Sequence, residues 1–127
     1  MFDVVVGSGV LRSSAEGAVH MPHKWTAEGV TVEADFTGAH LLHLAAAGCV
    51  LNDVHREAAG LGVEVEGVRV TASGGFDTAT WQSTGISYSV EVRSPSPAEQ
   101  VQRLLSVVDE VAEIPKALRA GAAVRRD

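Results

Sequence analysis

The sequence predicts an α+β domain, and three patterns predict it. Period-2 alternation at Val30–Phe36 gives way abruptly to a helical period at Ala39. Two further alternating stretches follow, around Val63–Val70 and Ile86–Val92. An amphipathic stripe of Val101, Leu104, Leu105, Val108, Val111 and Ala112 then closes the pattern. Strands and helices thus come in blocks rather than in strict alternation, which favours antiparallel sheet with segregated helices.

Taken in order, Val4, Val5 and Val6 begin a strand that Gly7 and Gly9 punctuate, and a weak strand candidate lies at Ala18–Met21. Val30, Val32, Ala34 and Phe36 alternate with Thr31, Glu33 and Asp35, as a half-buried strand does. Thr37-Gly38 breaks it. From Ala39 to Ala59 the period is helical, and Leu41, Leu42, Leu44, Ala45, Ala46, Ala47, Val50 and Leu51 leave the first three turns without a polar face. A helix apolar on every side is expected to be covered on every side. Polar residues return at Asn52, Asp53, His55, Arg56 and Glu57, with Gly60 as the expected stop. Val63, Val65, Val68 and Val70 mark the next strand, and Ser73-Gly74-Gly75 a turn or bulge. Ile86, Tyr88, Val90 and Val92 mark its successor. Ser96-Pro97-Ala98-Glu99 reads as a capping box with proline at the first helical position. Pro115 restarts a short helix ending at Gly121, and residues 122–126 are read as a small last strand.

At 127 residues with 46% hydrophobic and 20% charged side chains, the chain is expected to form a single globular domain over residues 1–127. A formal net charge of −6 argues against nucleic acid as a partner, since phosphate binding concentrates Lys and Arg. The longest apolar run, Leu41–Leu51, is far short of the ~20 residues a helix needs to cross a bilayer, so no membrane is expected. One cysteine excludes an intrachain disulfide, and the start Met1-Phe2-Asp3-Val4 has no signal-peptide pattern; a cytoplasmic location is the expectation.

Cys49 is the first candidate for chemistry, because a thiolate is a strong nucleophile near neutral pH. A lone buried cysteine more often acts as a small hydrophobe. On helical geometry its neighbours are Ala45, Ala46, Asn52 and Asp53, none of them cationic. His20 and His23, and His40 and His43, are each spaced i,i+3; four imidazoles converging would make a metal site, but no acidic or thiolate ligand stands at ordinary spacing. No cofactor is expected: the glycines match neither a P-loop nor a dinucleotide fingerprint. Asp109, Glu110 and Glu113 read as a solvated face.

The stretch Thr37-Gly38-Ala39-His40-Leu41-Leu42-His43-Leu44-Ala45-Ala46-Ala47-Gly48-Cys49 resembles the central helix of the OsmC/Ohr family. Gly62–Val68 looks like the strand that follows it, and Ile114-Pro115-Lys116-Ala117-Leu118 stands where the family has Cys-Pro-x-x-x-Leu. The resemblance covers roughly residues 28–126. It implies an OsmC-like fold, antiparallel sheets packed around a buried central helix in an intertwined homodimer. It also implies reduction of a small organic hydroperoxide, in defence against oxidative stress: one cysteine attacks the peroxide and a second resolves the sulfenic acid. Carried over, Cys49 takes the peroxidatic position and Arg12, the only arginine ahead of it, the thiolate-stabilising one. The resolving position falls on Ile114 and the Arg-holding glutamate on Ala39, while the family's Asn-Pro falls on Thr37-Gly38. These departures imply a one-Cys, thiol-dependent peroxidase with an external thiol reductant. The alternative is a non-catalytic dimer binding a small hydrophobic or thiol ligand.

Overall fold

Alternating valines commit the N-terminal half to sheet, and the Leu/Ala run commits the middle to helix. The computed structural model describes all 127 residues. Its order is β1 (Val4–Gly9), β2 (Val19–Met21), β3 (Val30–Glu33), α1 (Gly38–Leu61), β4 (Gly67–Phe76), β5 (Ser83–Arg93), α2 (Ala98–Val111) and α3 (Glu113–Ala120). The fold class is α+β, as expected. The five strands form one antiparallel sheet in the order β2-β3-β1-β4-β5. Helix α1 lies across β1 and β4, and α2 and α3 pack on α1.

One core joins the layers. Val4 and Val6 of β1 and Val68, Val70 and Ala72 of β4 face Ala47, Val50, Leu51, Val54 and Ala58 of α1, with Leu104 and Val108 of α2 completing it. Each fully buried Val or Leu contributes about 1.5–3 kcal/mol by leaving water, which makes this layer the main source of stability.

Local chemistry sets the boundaries. Thr37 caps α1, its Oγ1 accepting from the His40 N–H at 3.1 Å. The helix runs through Gly60 and stops at Gly62, whose φ of 67° places it in the left-handed region and whose N–H bonds the Ala58 carbonyl. Gly60 therefore is not the stop: Gly62 can adopt the left-handed cap without a Cβ penalty. Strand β3 ends at Glu33 rather than Phe36, which is 90% exposed, because β3 pairs β1 only through Glu33. Val63 and Val65 precede the strand instead of joining it; pairing with β5 begins at Gly67. Ser73-Gly74-Gly75 lies within β4 as a bulge, the register shifting between Gly74 and Phe76.

Three further expectations are corrected. Ser96 does not cap α2: its hydroxyl accepts from the Glu64 N–H at 3.2 Å, and the helix begins after Pro97 with no side-chain cap. Residues 122–126 form no strand; Val124 is 94% exposed and has nothing to pair with. Nor is α1 covered on all sides. A single sheet and two helices leave Leu41 and Ala45 exposed and Leu44 and Gly48 half-buried along one stripe.

Candidate active site

The middle of α1 turns Cys49 toward the junction of α2 and α3. Val111 ends α2, Ala112 breaks the path with extended backbone (φ −61°, ψ 114°), and Glu113 begins α3. Pro115, third in α3, is tolerated because the first-turn N–H groups have no intrahelical partner. The backbone of Ile114 and Glu113, at the start of α3, acts to lower the pKa of the Cys49 thiol. The thiol is only 7% exposed, and its Sγ lies 4.0 Å from Asp53 Oδ2, one turn further along α1.

Asp53 is as buried as the core valines, its side chain 1% exposed. Arg56 Nη2 stands 3.0 Å from Asp53 Oδ2, and Arg56 Nη1 3.7 Å from Glu113 Oε2. A Glu113 carboxylate oxygen stands within 4.8 Å of one of Asp53's. Burial first, and the Glu113 charge second, push the Asp53 carboxyl up to about 6, with Arg56 pulling the other way. Glu113 moves below its ordinary range, held there first by a backbone N–H and further by Asp53 and Arg56. A proton shared by this pair therefore resides on Asp53. Burial raises the Cys49 thiol above its ordinary value; the Ile114 N–H opposes this, and the charges of Asp53 and Glu113 add to it. At neutral pH the resting sulfur is a thiol.

The sulfur and one oxygen each of Asp53 and Glu113 lie within 4.8 Å of one another, the only such group of potential metal donors in the chain. With a guanidinium already 3.0 and 3.7 Å from the two carboxylates, this set is electrostatically disfavoured for a dication. A cavity of about 240 Å³ is lined by Ala46, Ile86, Tyr88, Pro115, Leu118 and Arg119 among others, with none of the three donors in its wall. Ala46 is one helical turn before Cys49 and Pro115 directly follows Ile114, so the cavity adjoins the sulfur's side of α1. At its rim the Tyr88 hydroxyl donates to Asp109, which Arg119 also grips at 3.1 Å. This ties α3 to α2 and β5.

The sequence-predicted residues are placed as follows. Cys49 is at the centre. Arg12 lies exposed in the turn after β1, its Nε donating to the Gly9 carbonyl at 3.1 Å, and it is not among the charges acting on Cys49. The histidines do not converge. His23 Nε2 meets Asn52 Oδ1 at 2.9 Å, His40 Nδ1 meets Thr37 at 2.6 Å, and His43 Nδ1 donates to the Ala39 carbonyl at 2.6 Å; His20 is on the exposed strand β2. Helical spacing puts Asp53 beside Cys49 without giving it a role, and Glu113 reads as solvated from sequence. The signal that would find Glu113 is its position directly before Ile114, the residue matched to a partner of Cys49.

Known proteins of similar form agree with this architecture. No curated protein sequence matches the chain. A crystal structure of an OsmC-like hydroperoxide resistance protein from Jannaschia sp. CCS1 superposes with a TM-score of 0.53 at 18% identity, covering 99% of this chain and 93% of that one. An OsmC-like protein from Mycoplasma pneumoniae superposes with a TM-score of 0.60 at 12% identity, covering 84% and 89% respectively. At such identities the two likenesses speak for the fold. The family model of OsmC-like proteins matches residues 24–125, a span that holds α1, the cysteine and the α2–α3 junction, and the chain accordingly belongs to the OsmC-like protein family.

Proposed function

We propose that the protein is a one-Cys, thiol-dependent peroxidase acting on small organic hydroperoxides. The observation that carries the reading is the placement of Cys49 against the start of α3, whose Pro115 lines a largely apolar cavity of about 240 Å³. Backbone N–H groups at a helix start stabilise negative charge on sulfur, and an apolar cavity of that size suits a short alkyl group. Cys49 attacks the distal peroxide oxygen and becomes a sulfenic acid while the alcohol leaves. With Ile114 at the position of a resolving cysteine, the cycle closes through an external low-molecular-weight thiol. One equivalent forms a mixed disulfide and releases water, and a second restores Cys49.

The apolar stripe of Leu41, Leu44, Ala45 and Gly48 supports a homodimer, with a second copy covering what one sheet leaves open. In that assembly Arg12, unattached to any carboxylate in the protomer, supplies the cation for the Cys49 thiolate from the second copy. No helix is long and apolar enough to cross a membrane. A cytoplasmic place and a role in oxidative-stress defence follow from this reading.

Consumption of cumene hydroperoxide with dithiothreitol as reductant, compared with Cys49→Ser, tests it. Turnover abolished by the substitution is expected; turnover indifferent to it would overturn the reading. One observation favours a second reading, a binding module: burial holds Cys49 as a thiol. Saturable uptake of a small apolar ligand by a protein inert to hydroperoxide would support it.

A further inference from the structure

We propose that Asp53, 4.0 Å from the sulfur and with Glu113 beside it, is the acid–base catalyst of the Cys49 reaction. The proposal rests on the peroxidase reading and adds a residue and a proton path to it. Its basis is geometric. Asp53 Oδ2 is the polar side-chain atom that meets the Cys49 sulfur, at 4.0 Å, and Glu113 reaches the same point from the start of α3. A carboxyl pair here serves a simple thiolate poorly, since its charge opposes ionisation of the sulfur. It serves a sulfur that must lose a proton and a leaving oxygen that must gain one.

The step balances without another reactant. Asp53 accepts the Cys49 thiol proton. The sulfur attacks the distal oxygen of the hydroperoxide; the O–O bond breaks as the S–O bond forms, oxidising the thiol to a sulfenic acid. The departing alkoxide takes the proton back from Asp53 and leaves as the alcohol. Thiol plus hydroperoxide gives sulfenic acid plus alcohol, and Asp53 is regenerated. The charged groups acting on Asp53 are Arg56 and Glu57 of α1 and Glu113 of α3; β1, β4 and α2, also packed on α1, bring none to it. The Glu113 charge favours the proton on Asp53, and Arg56 acts against protonation of both carboxylates.

Single-turnover oxidation of the reduced full chain by tert-butyl hydroperoxide and by peracetic acid, followed by loss of free thiol, provides the test. Between about pH 6.5 and 8.5 the wild-type rate with the hydroperoxide is expected to be flat, because the proton passes within a preformed pair. In Asp53→Asn it is expected to fall about 10²-fold at pH 6.5 and to climb about tenfold per pH unit, following the bare thiolate. Acetate leaves without needing a proton, so the loss with peracetic acid should be about tenfold smaller. In Glu113→Gln, whose site is at the surface, the acid limb of the profile should move to lower pH; this holds even where Asp53→Asn does not fold. Equal losses with both oxidants, a pH profile parallel to wild type, or an unmoved limb in Glu113→Gln would overturn the role of Asp53 and leave the peroxidase standing. A wild type inert to both oxidants would overturn the peroxidase and the proposal together.

Discussion

Replacing Asp53 by Asn should make the protein relatively more stable as the pH rises. A carboxyl moved from 3.8 to about 6 by folding is one the folded state binds protons to more tightly than the unfolded state. Such a group stabilises below its unfolded pKa, and that stability is lost as pH climbs through the folded value. At about 1.36 kcal/mol per tenfold change in proton affinity, the loss between pH 4 and 7.5 amounts to at most about 3 kcal/mol. Glu113, moved the opposite way, offsets part of it. The expected difference between variant and wild type therefore grows by about 1–3 kcal/mol over that window, in favour of the variant. The 3.0 Å pairing with Arg56 is already contained in the value of about 6, which it holds down, and so does not enter separately. Urea unfolding of both reduced proteins at half-unit steps from pH 4 to 8 measures it. A difference that is flat with pH, or that grows in favour of wild type, would refute the placement of the shared proton on Asp53.

Other substitutions probe the surroundings. Ile114→Cys should form a disulfide with Cys49 on mild oxidation, because Ile114 packs on the core that holds Cys49 and its neighbour Glu113 reaches that sulfur; unchanged free-thiol counts after oxidation would contradict this. Gly74→Ala should cost about 1–3 kcal/mol or more, since a methyl there would fall on His43 Nε2 and the Gly85 carbonyl; an unshifted urea midpoint would show that β4 relaxes freely. Leu104→Ala, which removes a fully buried side chain facing α1, should cost about 2–5 kcal/mol in the same measurement. Arg12→Gln should slow Cys49 oxidation without moving the unfolding midpoint, whereas an equal rate would remove Arg12 from the site.

The periodic elements are readable because burial imposes them. Val30–Glu33, the Leu/Ala helix and the Val101–Ala112 stripe each carry the period of the surface they cover. Boundaries are less so. Gly60 and Gly62 look alike in sequence, and only the backbone angle at Gly62 tells them apart. Ser96 has capping spacing, but the Glu64 N–H competes for its hydroxyl from 32 residues away. The site divides the same way. Cys49 stands out as the lone cysteine on an apolar helix, and Asp53 follows from helical spacing. Glu113 joins them only because Ala112 breaks the path between two helices. Charged side chains of such tertiary sites carry no periodic signature.

The most direct test of the central claim is the intact mass of the reduced protein after brief exposure to one equivalent of cumene hydroperoxide at pH 7, with dimedone present to trap sulfenic acid. A single dimedone adduct at Cys49, absent from Cys49→Ser, is the expected result. A protein that keeps its free thiol and its original mass while the hydroperoxide stays intact would contradict the claim.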